Sequence, residues 1–477
     1  MVSTTKNLLW VALDKFGNYA ASLLIGIILA RLLGPEVFGI VGIILVFMSI
    51  ANIMATAGLR DAMIRKKMPD QNDYATMQLV NLIISICVYL IIYLTAPLLA
   101  VFFDLPELAS LLRVYCLVII IQSFAFTKGI RLVKAYRFRR IAIISMLSTF
   151  VAGIIAVGMA FAGYGVWSLV AQGLINWTLR VILYFIFEAG FTLRFSKKSF
   201  LEMWNFGSKM FVVEITAEIF QNINRAFIGK VFSASALGLF SKAETYKDVF
   251  SKNISFTFIS VYFPMLSDIQ DHPVRLKEQY IKMMKNLTFI VFVAMFTLMG
   301  SANTFIIVLI GEEWIEAVDI LRILCIAGLA KPITSLNTNL LKVMGRSDII
   351  LKNQVAIIIF TTCNLFIAYF FGLHSLVIGI GVYSIIMVYI TSRYSNIFIQ
   401  YAIGKQIEDV LPNIVIGVCI LIVTGTLDLF LTPSIPVLAT QFLLVAFILL
   451  TAAHFFPNSI SAQVRKTGIQ FLKQVYK

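Results

Sequence analysis

The chain has 477 residues, 60% apolar and only 13% charged, whereas a soluble globular chain runs nearer half apolar and a quarter charged. A water-soluble fold is excluded, and so is a soluble enzyme carried on a membrane anchor, because stretches able to cross hydrocarbon occupy about two thirds of the sequence. The net charge of +15 does not indicate a nucleic-acid partner: the Lys and Arg residues alternate loop by loop instead of gathering on one surface.

The predicted elements are helices throughout, giving an all-α membrane protein. Apolar spans fall at about 8–31, 37–57, 76–103, 108–130, 141–162, 166–190, 209–232, 237–266, 284–310, 317–341, 353–371, 375–400, 411–431 and 436–456, about fourteen transmembrane helices in all. The first run carries Asp14 and Lys15 and lacks a small-residue cleavage site, so it reads as a retained helix and not a signal peptide. Gly34-Pro35 and Gly163-Tyr164-Gly165 mark turns, and Pro332 predicts a kink inside the tenth span. The longest polar interval, Ser267 to Lys285, is too short for a core of its own.

Basic residues collect in every second loop. They stand at Arg60, Arg65, Lys66 and Lys67; at Arg131, Lys134, Arg137, Arg139 and Arg140; at Arg194, Lys197 and Lys198; and at Arg275, Lys277 and Lys282. The alternation continues with Lys342, Arg346 and Lys352, with Lys405, and with Arg465, Lys466, Lys473 and Lys477 in the tail. The loops between are neutral or acidic, as at Asp104 with Glu107 and at Glu312, Glu313, Glu316 and Asp319. Cytoplasmic loops accumulate Lys and Arg, so both termini are expected inside and the number of spans even.

Two halves of the sequence match in order. Ala30-Arg31-Leu32-Leu33 with Phe38-Gly39 faces Gly229-Lys230-Val231-Phe232 with Leu237-Gly238. Leu112-Arg113-Val114-Tyr115-Cys116 faces Leu321-Arg322-Ile323-Leu324-Cys325, and Ser168-Leu169-Val170 faces Ser375-Leu376-Val377. Three matches in register, each with a residue other than Leu or Val, indicate a duplication. The expected plan is a six-helix bundle in 1–200, a second in 201–402, and two extra helices with a basic cytoplasmic tail in 403–477. Six spans per unit put both halves in the same orientation, the parallel repeat of rocking transporters, with a cleft expected where they meet.

Charge at membrane depth costs at least about 2.5–3.5 kcal/mol, so the polar residues inside spans are the candidate site. On the seventh span Glu214, Glu218, Gln221, Asn222 and Arg225 share one helical face. It reads either as a cavity wall or as a salt-bridge ladder of Glu214 or Glu218 with Arg225. Its repeat equivalent, the first span, presents Asp14, Asn18 and Ser22 with Lys15 beside them. The eighth span opens with Lys242, Glu244, Lys247, Asp248 and Lys252, either a vestibule or a helix that starts later, and the tenth carries Lys331 next to Pro332. Asn52, Asn81, Gln172, Asn176 and Asn364 read as ordinary interhelical hydrogen-bonding residues. Cys87, Cys116, Cys325, Cys363 and Cys419 read as buried small hydrophobes. His272, His374 and His454 lack metal-pair spacing, so no metal is expected. No phosphate-binding glycine loop or Ser/His/Asp grouping is present, which leaves a transporter without ATP chemistry.

ILARLLGPEVFGIVGI from Ile28, GLRDAMIRKK from Gly58, YGVWSLVAQ from Tyr164, NINRAFIGKVFSASALGLFSKA from Asn222, YFPMLSDIQD from Tyr262, GEEWIEAVDILRILCIAG from Gly311 and LLKVMGRSD from Leu340 together resemble the polysaccharide transporter family. This is the flippase family of exopolysaccharide and lipopolysaccharide biosynthesis, O-antigen or colanic-acid type, in the multidrug/oligosaccharidyl-lipid/polysaccharide exporter superfamily. The resemblance covers the first 350 or so residues, and the last four spans match in hydropathy alone. It implies translocation of an undecaprenyl-pyrophosphate-linked oligosaccharide from the inner to the outer leaflet of the bacterial inner membrane. Many relatives place an acidic residue where this chain has Asn224, which argues against ion coupling at that position.

A sugar chain and a pyrophosphate cannot enter hydrocarbon without losing several kcal/mol for each unmatched polar group, so a hydrated cleft is required. Arg225 and Lys15 are the candidates for the pyrophosphate, with Asn222, Gln221, Lys252 and Lys331 along the cavity. Glu214, Glu218 and Asp14 are expected to balance those cations or to couple the cycle to protons or sodium; no cofactor is expected. Expected partners are the lipid-linked oligosaccharide, bilayer lipids and the polysaccharide polymerase machinery. A multidrug or small-cation extruder of the same superfamily and a membrane glycosyltransferase or polymerase acting on the same carrier are the alternatives. The first needs an anionic, aromatic cavity and the second a large outer loop or an acidic catalytic cluster.

Overall fold

A computed structural model describes residues 4–188, 190 and 192–455, so Arg465, Lys466, Lys473 and Lys477 of the expected tail lie outside the described residues. The described residues are helical with no strand, and their contacts divide into two compact units, Met1–Gly238 and Leu239–Lys477.

The first unit opens with α1, Thr4–Thr56, which contains the expected turn as a kink: Gly34 has φ 68° and ψ 175°, a backbone conformation that glycine adopts without a Cβ penalty. Pro35 follows, starting the second limb where its missing N–H costs nothing. An unbroken helix of that length would run about 80 Å, more than twice the hydrocarbon thickness of about 30 Å, and the kink makes it two limbs of membrane length. Then come α2 (Leu59–Arg65), α3 (Gln71–Phe102), α4 (Leu108–Tyr115), α5 (Leu117–Ser123), α6 (Phe126–Lys134), α7 (Phe138–Phe161), α8 (Val166–Phe187) and α9 (Lys197–Val231). The expected fourth span is thus three short helices bent by 46° between Ser123 and Phe126. An expected boundary at residue 200 falls within the first turn of α9, whose neighbours are α1, α2 and α3 of this unit.

The division between the units falls inside α10, Ala234–Phe250. The second unit continues with α11 (Lys252–Asp268), α12 (Pro273–Gly300), α13 (Ala302–Ile310), α14 (Ala317–Val343), α15 (Ser347–Phe371), α16 (Leu373–Ile399), α17 (Ile403–Phe430) and α18 (Ile435–Phe455). Here α14 packs on α16 and α12, and α12 on α17. Over their described residues the fourteen expected spans lie on helix, and among the described residues eight helices, or nine with the bent pair, are long and apolar enough to cross a bilayer.

The repeated segments are buried alike: Leu112 and Cys116 on one side, Leu321 and Cys325 on the other, are all fully buried. By contrast Leu94, Leu98, Ile186, Phe366 and Phe371 point outward, as lipid-facing side chains do and a soluble core does not. Cys87, Cys363 and Cys419 are also exposed, contrary to the expectation that all five cysteines are buried. Apolar periodicity cannot tell a lipid-facing position from a core one, because both want a small hydrophobe.

Candidate functional site

In the first unit the polar faces of α1 and α9 are tied into side-chain networks. Asn18 Nδ2 donates to the carboxylate of Asp14 at 2.7 Å and to Ser145 Oγ of α7 at 2.9 Å. Ser145 Oγ also donates to Asp14, Thr149 Oγ1 donates to Asn18 Oδ1 at 2.9 Å, and Asn176 Nδ2 of α8 donates to Thr149 at 3.2 Å. Three helices are therefore joined by one run of hydrogen bonds, each satisfying a group that hydrocarbon could not. Asn176 thus makes the interhelical hydrogen bond expected of it, as one member of this network.

On α9, Asn222 is buried and donates to Glu218 Oε1 at 2.8 Å and to Ser49 Oγ at 3.2 Å. Glu214, half-buried, has Asp61 and Arg60 of α2 as electrostatic neighbours. Gln221 is exposed and Arg225 half-buried, while Lys15 is exposed on α1. The sequence missed Arg180. It lies mid-α8 over the Trp177 ring at 5.2 Å, with Asp14 and Tyr184 close enough to act on its charge and a buried Nε that no described atom accepts from. An Arg four residues after Asn176 and four before Tyr184, inside an apolar span, was the available signal.

The second unit holds a cavity of about 630 Å³ among α11, α14, α15 and α16. From α11 it is lined by Lys252, Phe256, Ser260 and Phe263, and from α16 by Tyr383, Ser384 and Thr391. Its polar wall is α14, where Lys331, Thr334, Ser335, Thr338, Asn339 and Lys342 recur at helical spacing on one face. Lys331 is exposed into this space although it sits in the middle of α14. Lys247, Asp248 and Lys252 are its electrostatic neighbours, and Asp248 lies 2.8 Å from Lys247 and 3.8 Å from Lys252. One carboxylate thus faces three ammonium groups. The expected polar opening of the eighth span is helical from Ala234, with its break at Ser251, so these charges are presented from helix and not from a loop.

The flank of α14 is fixed by a second network. Asn337 accepts from Tyr280 Oη at 2.6 Å and from Ser395 Oγ, and donates to Thr391 at 3.3 Å and Ser392 at 3.2 Å. This locks α14 to α12 and α16 and sets which of its faces meets the cavity. Lys342 and Asn339 were missed as lining residues, Lys342 because it reads as part of a basic loop. Also missed was Asp428, fully buried on α17. It accepts from the Asn303 and Thr304 backbone N–H groups at the start of α13 and pairs with Arg322 at 3.1 Å. Among the described residues no group of three or more His, Cys, Asp or Glu is placed to hold a metal ion.

The sequence matches the polysaccharide biosynthesis protein family over residues 28–319. The succinoglycan biosynthesis transport protein ExoT of Rhizobium meliloti is 27% identical over 326 residues, covering 68% of this chain and 66%, just under two thirds, of that protein. The lipopolysaccharide biosynthesis protein WzxC of Escherichia coli is 24% identical over 361 residues, 72% of this chain and 71% of that one. Among solved structures, the lipid II flippase MurJ in an inward closed conformation aligns with a TM-score of 0.73 at 13% identity, over 94% of this chain and 99% of that one. An inward-facing multidrug resistance MATE family transporter of the MOP superfamily aligns with a TM-score of 0.59 at 16% identity, over 83% and 98%.

Proposed function

Because the chain belongs to the polysaccharide biosynthesis protein family and has the helical fold of the MOP superfamily transporters, we propose that it is a flippase for an undecaprenyl-pyrophosphate-linked oligosaccharide. In this reading it works by alternating access in the bacterial inner membrane, carries both termini on the cytoplasmic side and performs no covalent chemistry. The relatives are named for succinoglycan transport and lipopolysaccharide biosynthesis, and the aligned solved structure is a lipid II flippase.

The observation that carries the reading is the second unit's cavity. Its floor of hydroxyls and lysines is unaffordable against lipid and suits a hydrated glycan with anionic groups. Phe256, Phe263 and Tyr383 add apolar ring faces beside the hydroxyl donors. Lys252 and Lys331 supply the positive charge, each as a mobile point donor of up to three hydrogen bonds. In the first unit Arg225 and Lys15, with Asn222 and Gln221, are proposed substrate contacts, polar and cationic groups on the path of the same lipid-linked oligosaccharide. Glu214, Glu218 and Asp14 are the proposed groups through which a proton or sodium gradient acts. The residues lining that cavity include Lys252, Lys331 and Lys342 and no carboxylate, which disfavours an extruder of organic cations.

Deleting the gene and restoring Arg225→Ala tests the reading in cells. Surface polysaccharide should be lost while immunoblotting finds normal membrane abundance, with Arg225→Lys partly active because charge survives without the planar fork. Undiminished polysaccharide in the full deletion would remove the export function altogether.

A further inference from the structure

The flippase reading leaves open what the oligosaccharide itself carries, and the spacing of the cavity's cations bears on that. Lys331 and Lys342 stand on the same face of α14 and both line the cavity, separated by about 16 Å at the 1.5 Å helical rise per residue. Thr334, Ser335, Thr338 and Asn339 fill the face between them. A pyrophosphate is two phosphorus centres joined by one oxygen, so it cannot engage both ends of this stripe.

The two ends differ in surroundings. Lys342 is in the last turn of α14, which ends at Val343; the ends of a membrane-length helix reach the headgroup level, where the phosphates of a lipid held by its tail would lie. Lys331 is three turns further into the helix, beside Lys247 and Lys252, with Asp248 as the carboxylate among them. Between the ends, Asn339 is only 4% exposed, and its Nδ2 donor has no hydrogen-bond partner among the described residues. A buried amide donor without an acceptor indicates that a ligand or water supplies one.

We propose that the substrate glycan is itself acidic, with Lys342 meeting the pyrophosphate, Asn339 and the hydroxyls meeting neutral ring oxygens, and the Lys331 cluster meeting a carboxylate-bearing sugar. The deep cluster then works as a specificity element: a neutral glycan leaves an excess of positive charge at membrane depth uncompensated, and a uronate compensates it.

The test uses the full chain in proteoliposomes with two synthetic polyprenyl-pyrophosphate trisaccharides that differ only in a terminal hexose or hexuronate. Flipping is read from loss of accessibility to an impermeant reagent. Wild type should move the hexuronate lipid at least tenfold faster. Lys331→Gln should bring that ratio to about one, Lys331→Arg should retain it, and Lys342→Gln should slow both lipids alike. Equal wild-type rates, or a ratio unchanged in a monodisperse Lys331→Gln protein, overturn the proposal while leaving the flippase reading intact. Failure of wild type to move either lipid overturns both.

Discussion

Gly39 and Gly238, which occupy matching places in the two halves of the sequence repeat, pack backbone to backbone. A Cβ built on Gly39 would lie 1.6 Å from the Ala234 carbonyl oxygen, and one built on Gly238 would lie 1.9 Å from the Pro35 carbonyl oxygen. Each glycine therefore meets the carbonyl one turn before the other, so the contact is reciprocal. Because the opposing atoms are backbone, they cannot swing aside as a side chain would. Gly39→Ala and Gly238→Ala are each expected to lower stability by about 1–3 kcal/mol, and Gly158→Ala, which has open space around its Cβ, should not. Thermal unfolding of the detergent-solubilised protein checks this, and a Gly39→Ala protein that melts like wild type would refute the close approach.

Asp428 holds three elements of the second unit together by accepting two backbone N–H groups of α13 and pairing with Arg322. Asp428→Leu removes both roles and leaves the guanidinium without its buried partner, so a loss of about 3–5 kcal/mol is expected. Asp428→Asn keeps an acceptor for α13 and should cost less. Equal destabilisation by the two changes, measured as melting midpoints, would eliminate the capping role.

The cavity is expected to be water-filled. In a cysteine-free background, Lys331→Cys should react with a charged thiol reagent, whereas Leu336→Cys, at a fully buried position on the same helix, should not. Equal inertness of both positions would mean that the polar wall of α14 is closed to water. Protection of Lys331→Cys by added substrate lipid would place the ligand there.

Lys66, at the end of α2, contacts Asp73 and Glu202, each at 2.9 Å. Burial works against its charged form, but the two carboxylates outweigh it and lift the ammonium pKa above 10.5. A raised folded-state pKa means that this stabilisation is complete below 10.5 and is lost as pH rises through the folded value. The melting advantage of wild type over Lys66→Gln should therefore shrink across that alkaline window. A constant advantage would show that Lys66 acts through packing alone.

Amino-acid order by itself determined the class of the molecule, because the cost of removing polar groups from water accumulates locally along the chain. Apolar length marked each helix, Gly34-Pro35 marked the kink, and the repeat paired Gly39 with Gly238. Lys252 and Lys331 were legible for the same reason: ammonium groups amid apolar residues stand out in a linear reading. Tertiary structure alone decided which polar face meets which space. Lys342 read as an ordinary loop cation until α14 was seen to turn its Lys331 face along a cavity. Asn18 and Asn176 became parts of one network only when α1, α7 and α8 came together. Asp428 was hidden among the apolar residues of the thirteenth span because its partners, the start of α13 and Arg322, lie more than a hundred residues away in sequence. Helical periodicity fixes a residue's face relative to its own axis, whereas the rotation of that axis is set by packing against helices that the local sequence does not contain.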